Sequence, residues 1–220
     1  MSAPPVIRTA VVAGATGAVG QALLDRLLAD ARYGRVTVLT RQPLGREHPK
    51  LVVLPLDSLG PVGLGAKLAA DDAFCCLGTT LKKAGSRAAF ERVDYHLVLD
   101  FARAGRAQGA QQFLVVSSVG ASLKAKSFYL RVKARMEQAV RELDYPTVHI
   151  LRPSLLIAAR RESRPGEWLA QKLAPLVEPL LQGQLAIFRP VRSEQVADAM
   201  VTLALRKLDG AHTHHLPLAD

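Results

Sequence analysis

A glycine-spaced turn between a short apolar run and an amphipathic helix constrains this chain more than any other stretch. It reads Thr9-Ala10-Val11-Val12-Ala13-Gly14-Ala15-Thr16-Gly17-Ala18-Val19-Gly20. The first residues form a buried strand, and Val19, Leu23, Leu24, Leu27 and Leu28 then fall on one helical stripe. Glycine at 14, 17 and 20 permits a tight strand-to-helix turn, close approach of a ligand to the backbone, and close packing of helix on strand. The unpaired N–H groups at the helix start, with the positive end of its dipole, suit phosphate. We read the turn as a dinucleotide site, with Gly14, Thr16, Gly17, Ala18, Val19 and Gly20 as its residues.

Strands and helices alternate from there on, which points to a doubly wound α/β domain with helices on both faces of a parallel sheet. A second strand, Arg35 to Arg41, ends on a basic residue. In dinucleotide folds an acidic side chain here bonds the 2′-hydroxyl of NAD; the Arg41 fork instead suits the 2′-phosphate of NADP(H). A third strand, Leu51–Leu54, runs into Pro55-Leu56-Asp57, and Gly60 to Ala70 reads as a weak helix. The fourth strand, Ala73–Leu77, is apolar throughout, as expected for one covered on both faces, and ends in the turn Gly78-Thr79-Thr80. Leu77, Gly78 and, after the sixth strand, Pro153 are counted with the cofactor residues.

From Ala88 to Gln108 a long helix carries Phe90, Val93, Leu97, Val98 and Phe101 on one face, with Asp94 inside the stripe. A carboxylate there needs either the rim or a specific partner. The fifth strand, Gln112–Val116, ends in Ser117-Ser118, and a helix follows over roughly Ser127 to Leu143. On that helix Tyr129 and Lys133 lie four residues apart at the edge of the apolar arc. A phenol of reference pKa about 10 is a poor proton donor near neutrality, and an adjacent ammonium favours its ionised form. Tyr129 is therefore read as acid and base for a carbonyl or alcohol, Lys133 as its partner and ribose ligand, and Ser118 as the hydrogen-bond donor to the substrate oxygen. Ser117 competes with Ser118, because a one-residue shift at the strand end exchanges the two faces.

The sixth strand, Thr147–Leu151, is followed by a region of different character, 153–190, which we assign to the substrate side of a single domain spanning 1–220. Arg160, Arg161 and Arg164 would line its mouth, Leu169 to Leu181 is apolar and proline-broken, and a short strand is expected at Leu185–Phe188. A helix at Ser193–Lys207 and a tail strand near His214–Leu216 complete the chain. His212, His214 and His215 are read as surface histidines, since the three do not all face one way, and no metal site is expected.

The net charge of +10 reads first as a solvated basic surface; as a functional signal it points to anionic company, namely cofactor phosphates, an acidic substrate or nucleic acid. Scattered basic residues and few aromatics argue against nucleic acid. With no apolar run of the roughly 18–20 residues a bilayer requires, no membrane span is expected. Two adjacent cysteines, Cys75 and Cys76, and no secretory signal at the start suit a reduced, cytoplasmic setting.

GATGAVG at 14–20, the Ser117-Ser118 strand end and Tyr129-x-x-x-Lys133 resemble the short-chain dehydrogenase/reductase superfamily in its atypical branch. More narrowly, Cys75-Cys76-Leu77-Gly78-Thr79-Thr80 and Arg161-Glu162-Ser163-Arg164-Pro165-Gly166-Glu167-Trp168 are similar to the Tat-interacting protein family of oxidoreductase-like proteins. The resemblance implies a Rossmann-type sheet with NADPH in the glycine-rich groove, Arg41 at the 2′-phosphate, Asp57 near the adenine, Thr79 near the ribose, and Ser118, Tyr129 and Lys133 as the catalytic set. Two departures stand out. Asp94 occupies the place of the superfamily's frequent asparagine, and the eleven-residue step from Ser118 to Tyr129 is slightly short. The expected activity is NADP(H)-dependent hydride transfer to or from a small carbonyl or alcohol substrate, an anionic one being left open, with NAD as the poorer cofactor. A cofactor-sensing binding protein with little turnover is the competing reading, and a homodimer is left open.

Overall fold

The computed structural model describes residues 7–56, 68–157, 187, 189–206 and 208–218. Seven strands form one sheet: β1 (Arg8–Ala13), β2 (Tyr33–Thr40), β3 (Leu51–Pro55), β4 (Asp72–Cys75), β5 (Gln112–Val116), β6 (Thr147–Arg152) and β9 (Gly210–His215). Their spatial order is β3-β2-β1-β4-β5-β6-β9, and every pairing is parallel. The chain leaves β1 in one direction for β2 and β3 and returns past it for β4 onward. The strand order therefore reverses between β1 and β4, and in open α/β sheets such a reversal places a crevice at the carboxyl ends of the strands.

Strand periodicity divides the core in two. Ala10 and Val12 of β1, Phe74 of β4 and Leu114 of β5 face α1 (Ala18–Ala29) and the C-terminal helix Ser193–Ala204. Val11, Ala13, Cys75, Phe113 and Val115 face the opposite helices, Val98–Ala107 and Phe128–Arg141. Successive strand residues point to opposite faces, so a sheet covered on both sides reads as continuous apolar sequence. Among the described residues, no helix is long and apolar enough to cross a membrane.

The segment expected as one helix from Ala88 is more elaborate. A short α2 (Leu81–Ala84) is capped by Thr80, which accepts from the Lys83 N–H at 3.2 Å. After α3 (Arg87–Glu91) comes a π-helical turn, Arg92–Leu97, continuing into α4 (Val98–Ala107). Such a turn inserts a residue and breaks the 3.6-residue register, which apolar periodicity alone does not reveal. Next are α5 (Phe128–Arg141) and α6 (Ser193–Ala204), the latter shorter than the helix expected to Lys207. A two-stranded parallel ribbon pairs β7 (Leu156–Ile157) with β8 (Val191–Arg192). The weak helix before Ala70, the apolar segment 169–181 and the strand expected at Leu185–Phe188 lie wholly or almost wholly outside the described residues.

The tail histidines correct the sequence reading. His212 and His214 share a face of β9, and both rings pack against His149 of β6, which is fully buried. Nδ1 of His149 lies 3.0 Å from Nε2 of His214. Burial, with the nearby His214, His212 and Arg206, pushes the pKa of His149 down to about 4. Its folded pKa lies below its unfolded one, so the folded chain binds fewer protons between about pH 4 and pH 6.5, and stability is lost as the pH falls through that window. The loss should be on the order of 3 kcal/mol. His149→Phe should therefore flatten this part of the stability profile in urea titrations; a profile with the wild-type slope would assign the acid sensitivity elsewhere.

Candidate functional site

The β1–α1 turn shows which glycines the fold itself demands. Gly14 has φ of 85°, and a Cβ there would lie 2.5 Å from the Cys76 carbonyl carbon. A Cβ on Gly20 would lie 2.1 Å from the Gly14 oxygen, so α1 can approach β1 only with glycine at that place. Gly17 differs. Its N–H donates to the Gly14 oxygen at 3.1 Å, yet a Cβ there would meet only that oxygen, at 3.4 Å. Packing therefore does not explain Gly17. It is the N-cap of α1 and has no side chain to satisfy the N–H groups of the first turn. Thr16 is exposed, Gly17 and Ala18 are half-buried, and the Val19 and Gly20 side positions are buried in the core. Backbone donors at an open helix N-terminus are a donor set that fits a pyrophosphate.

Around this turn the crevice is assembled from distant segments. β2 ends at Thr40, whose hydroxyl donates to the Gln42 carbonyl at 2.7 Å, and the next residue, Arg41, is exposed with no ion pair among the described residues. Asp57 lies outside the described residues. Beyond β4, the Cys76 N–H donates to the Ala13 oxygen at 2.8 Å, joining the two strand ends. Leu77 follows, half-buried, then Gly78, which is exposed, and the backbone N–H of Thr79 donates to Asp94 Oδ2 at 2.8 Å.

Asp94, the carboxylate inside the apolar stripe, comes from the π-helical turn. Its Oδ1 lies 2.9 Å from Lys133 Nζ, and both side chains are almost fully buried, at 1% and 4% exposure. Lys133 also donates to the Val116 carbonyl at 3.3 Å. Burial alone would lower its pKa; the attraction of Asp94, followed by that of Tyr129, outweighs this and holds it above the ordinary lysine value. A Cβ on Gly78 would sit 3.5 Å from Asp94 Oδ1 and 3.9 Å from Lys133 Nζ, so the missing side chain leaves the pair open toward the β4 loop.

The structure also distinguishes the two serines. Ser117 is buried and donates to Glu137 Oε1, while Arg152, at the end of β6, donates to both oxygens of that carboxylate, at 2.9 and 2.5 Å. Ser118 is half-buried, and among the described residues its hydroxyl makes only a 3.3 Å bond to the Val119 carbonyl. Its hydroxyl is the one available to a ligand. Tyr129 is half-buried, with its ring 5.6 Å from that of Phe90 and no partner for its hydroxyl among the described residues. Pro153 is buried and its carbonyl accepts from the Val119 N–H at 2.9 Å, tying the end of β6 to the Ser118 loop.

Glu137 escaped the sequence reading, although its position signals it: Tyr129, Lys133 and Glu137 follow one another at steps of four on α5. Burying a carboxylate is tolerable only with charged and hydrogen-bonding partners, and Arg152 and Ser117 supply them. The network braces β5, α5 and β6 behind the side chains that face the crevice.

A family model described as NAD(P)H-binding matches residues 14–206. Protein HTATIP2 of Rattus norvegicus is 37% identical over 173 residues, which covers 75% of this chain and 69% of the rat protein. Protein FMP52-1, mitochondrial, of Scheffersomyces stipitis is 30% identical over 201 residues, covering 89% of this chain and 88% of the yeast protein. Among solved structures, MoeE5 in complex with UDP-glucose and NAD is similar with a TM-score of 0.69 at 16% identity, over 94% of this chain and 75% of that one. Uronate dehydrogenase from Agrobacterium tumefaciens gives 0.67 at 13% identity over the same shares. Those two likenesses show the Rossmann-like fold; the sequence matches, together with the glycine turn at the carboxyl edge of a parallel sheet, show that the chain belongs to the NAD(P)H-binding, atypical short-chain dehydrogenase/reductase family.

Proposed function

We propose that the protein is an NADP(H)-dependent oxidoreductase that moves a hydride between its cofactor and a small carbonyl or alcohol compound. The observation that carries this reading is the grouping on α5 of a phenol whose hydroxyl has no partner among the described residues and, one turn on, a lysine held charged by Asp94. Bound NADP(H) supplies or accepts the hydride. Tyr129 gives a proton to the carbonyl oxygen in reduction and takes it back in oxidation. Ser118 donates a hydrogen bond to the same oxygen, and Lys133 holds the ammonium that favours the ionised phenol and grips the ribose.

Arg41 supports NADP(H) over NAD(H), being an exposed guanidinium with no ion pair among the described residues, where the adenosine ribose would lie. An excess of basic residues over acidic ones, 29 against 19, supports an anionic substrate. The cysteines are free thiols, as suits the reducing, cytoplasmic setting we propose.

The test is a panel of small aldehydes and ketones, neutral and carboxylated, with consumption of NADPH and of NADH followed in parallel. At least one compound should be reduced, with NADPH preferred by about tenfold or more, the worth of one charge-assisted contact. Tight NADPH binding without turnover across the panel would replace the enzyme with a cofactor-sensing protein. Equal rates with NADH would remove the role given to Arg41.

A further inference from the structure

Asp94 is an anomaly that the proposed chemistry does not use. It is buried in the apolar stripe of a helical segment, where an ionised carboxylate costs several kcal/mol unless it is paired. It also lies in a π-helical turn, a distortion that concentrates at functional sites. Its two oxygens serve different parts of the crevice. Oδ2 accepts from the backbone of Thr79 in the loop after β4, and Oδ1 faces the Lys133 ammonium on α5. An asparagine could bond the Thr79 N–H but would leave the buried ammonium without a counter-ion.

We propose that Asp94 is the positioning residue of this site: its carboxylate keeps the Lys133 ammonium charged and aimed, and fastens it to the Thr79 loop so that the two segments meet the cofactor ribose as one unit. The proposal rests on the NADP(H) reading for what the unit grips. Pairing of Asp94 with Lys133 rests on geometry alone. Across Gly78 no side chain separates the pair from the loop. The titratable groups facing Lys133 Nζ are Asp94 from the π-helical turn, Tyr129 from its own helix and the Cys75 thiol from β4. Burial pushes the Cys75 thiol up to about 12, so it supplies no anion near neutrality, and Asp94 is the counter-ion. Without it, burial would pull the lysine down, by up to about 3–5 units in a fully dry site.

Asp94→Asn, Lys133→Met and the double variant separate the possibilities. In cofactor-free protein, thermal melts should show wild type indifferent to the protonation of Lys133 from about pH 6 to pH 9. Asp94→Asn should lose stability as the pH falls through that range, because the folded state then binds the proton less readily than the unfolded state. Adding Lys133→Met should abolish that slope and, should Asp94→Asn fail to fold near neutrality, restore folding. A slope unchanged by Asp94→Asn, or a defect that Lys133→Met does not relieve, overturns the proposal.

NADPH titration by fluorescence supplies the second readout. Wild-type affinity should be level over the same range, and that of Asp94→Asn should weaken by about tenfold as the pH rises and Lys133 loses its charge. A purely structural Asp94 would weaken binding equally at every pH, and that result counts against the proposal. Should wild type fail to bind NADPH while the melts behave as described, the cofactor reading falls and the Asp94–Lys133 unit stands.

Discussion

Replacing Tyr129 by phenylalanine should reduce carbonyl reduction by about 10²–10⁴-fold, the usual contribution of a positioned acid, and leave the affinity for NADPH within about twofold. Only one atom is removed. The ring keeps its contact with Phe90, and the hydroxyl has no partner among the described residues, so its loss strands no buried polar group. Lys133 keeps Asp94 and the Val116 carbonyl. The measurements are kcat/KM with the best compound of the panel and the NADPH dissociation constant. Undiminished turnover would rule out the phenol as proton donor.

Two glycines three residues apart should give opposite outcomes when changed to alanine. At Gly20 the added methyl lies 2.1 Å from the Gly14 oxygen and 2.8 Å from the Ala15 Cα, all backbone, with no rotamer to relieve the clash. The first turn of α1 has to back away from β1, and chemical denaturation should register a loss of about 3 kcal/mol, the upper end for overpacking. At Gly17 the methyl meets only the Gly14 oxygen, at 3.4 Å. Stability there should stay within about 0.5 kcal/mol of wild type. NADPH affinity should nevertheless fall by about tenfold or more, because the methyl occupies the approach to the α1 N–H donors. Wild-type NADPH binding by Gly17→Ala would mean that phosphates do not lie in this turn.

The parts legible in the sequence were those whose physics is local. Glycine at 14, 17 and 20 marked the turn because backbone conformation and close approach are decided within a few residues. Tyr129 and Lys133 were visible as a pair because four residues make one turn of helix. Asp94 was visible as an oddity, but its partner lies 39 residues on, and only the packing of α5 against the π-helical turn joins them. Ser117 and Ser118 are told apart only by Glu137, which Arg152 holds and which claims the first of them. His149 looked like any member of a buried strand. Its environment arises from the pairing of β6 with β9, which no run of residues in either strand encodes.

The bond from the Cys76 N–H to the Ala13 oxygen, with Gly14 pressed against the Cys76 carbonyl, has a consequence for how nucleotide recognition comes into being. The phosphate turn is local in sequence, yet its floor is supplied by a strand some sixty residues downstream. An N-terminal fragment ending before that strand carries every signature glycine and lacks the surface that sets their shape. Ligand affinity is thus withheld until a long excursion of chain has closed, and the nucleotide, once captured, acts as a late latch that favours the assembled sheet over its partly formed precursors.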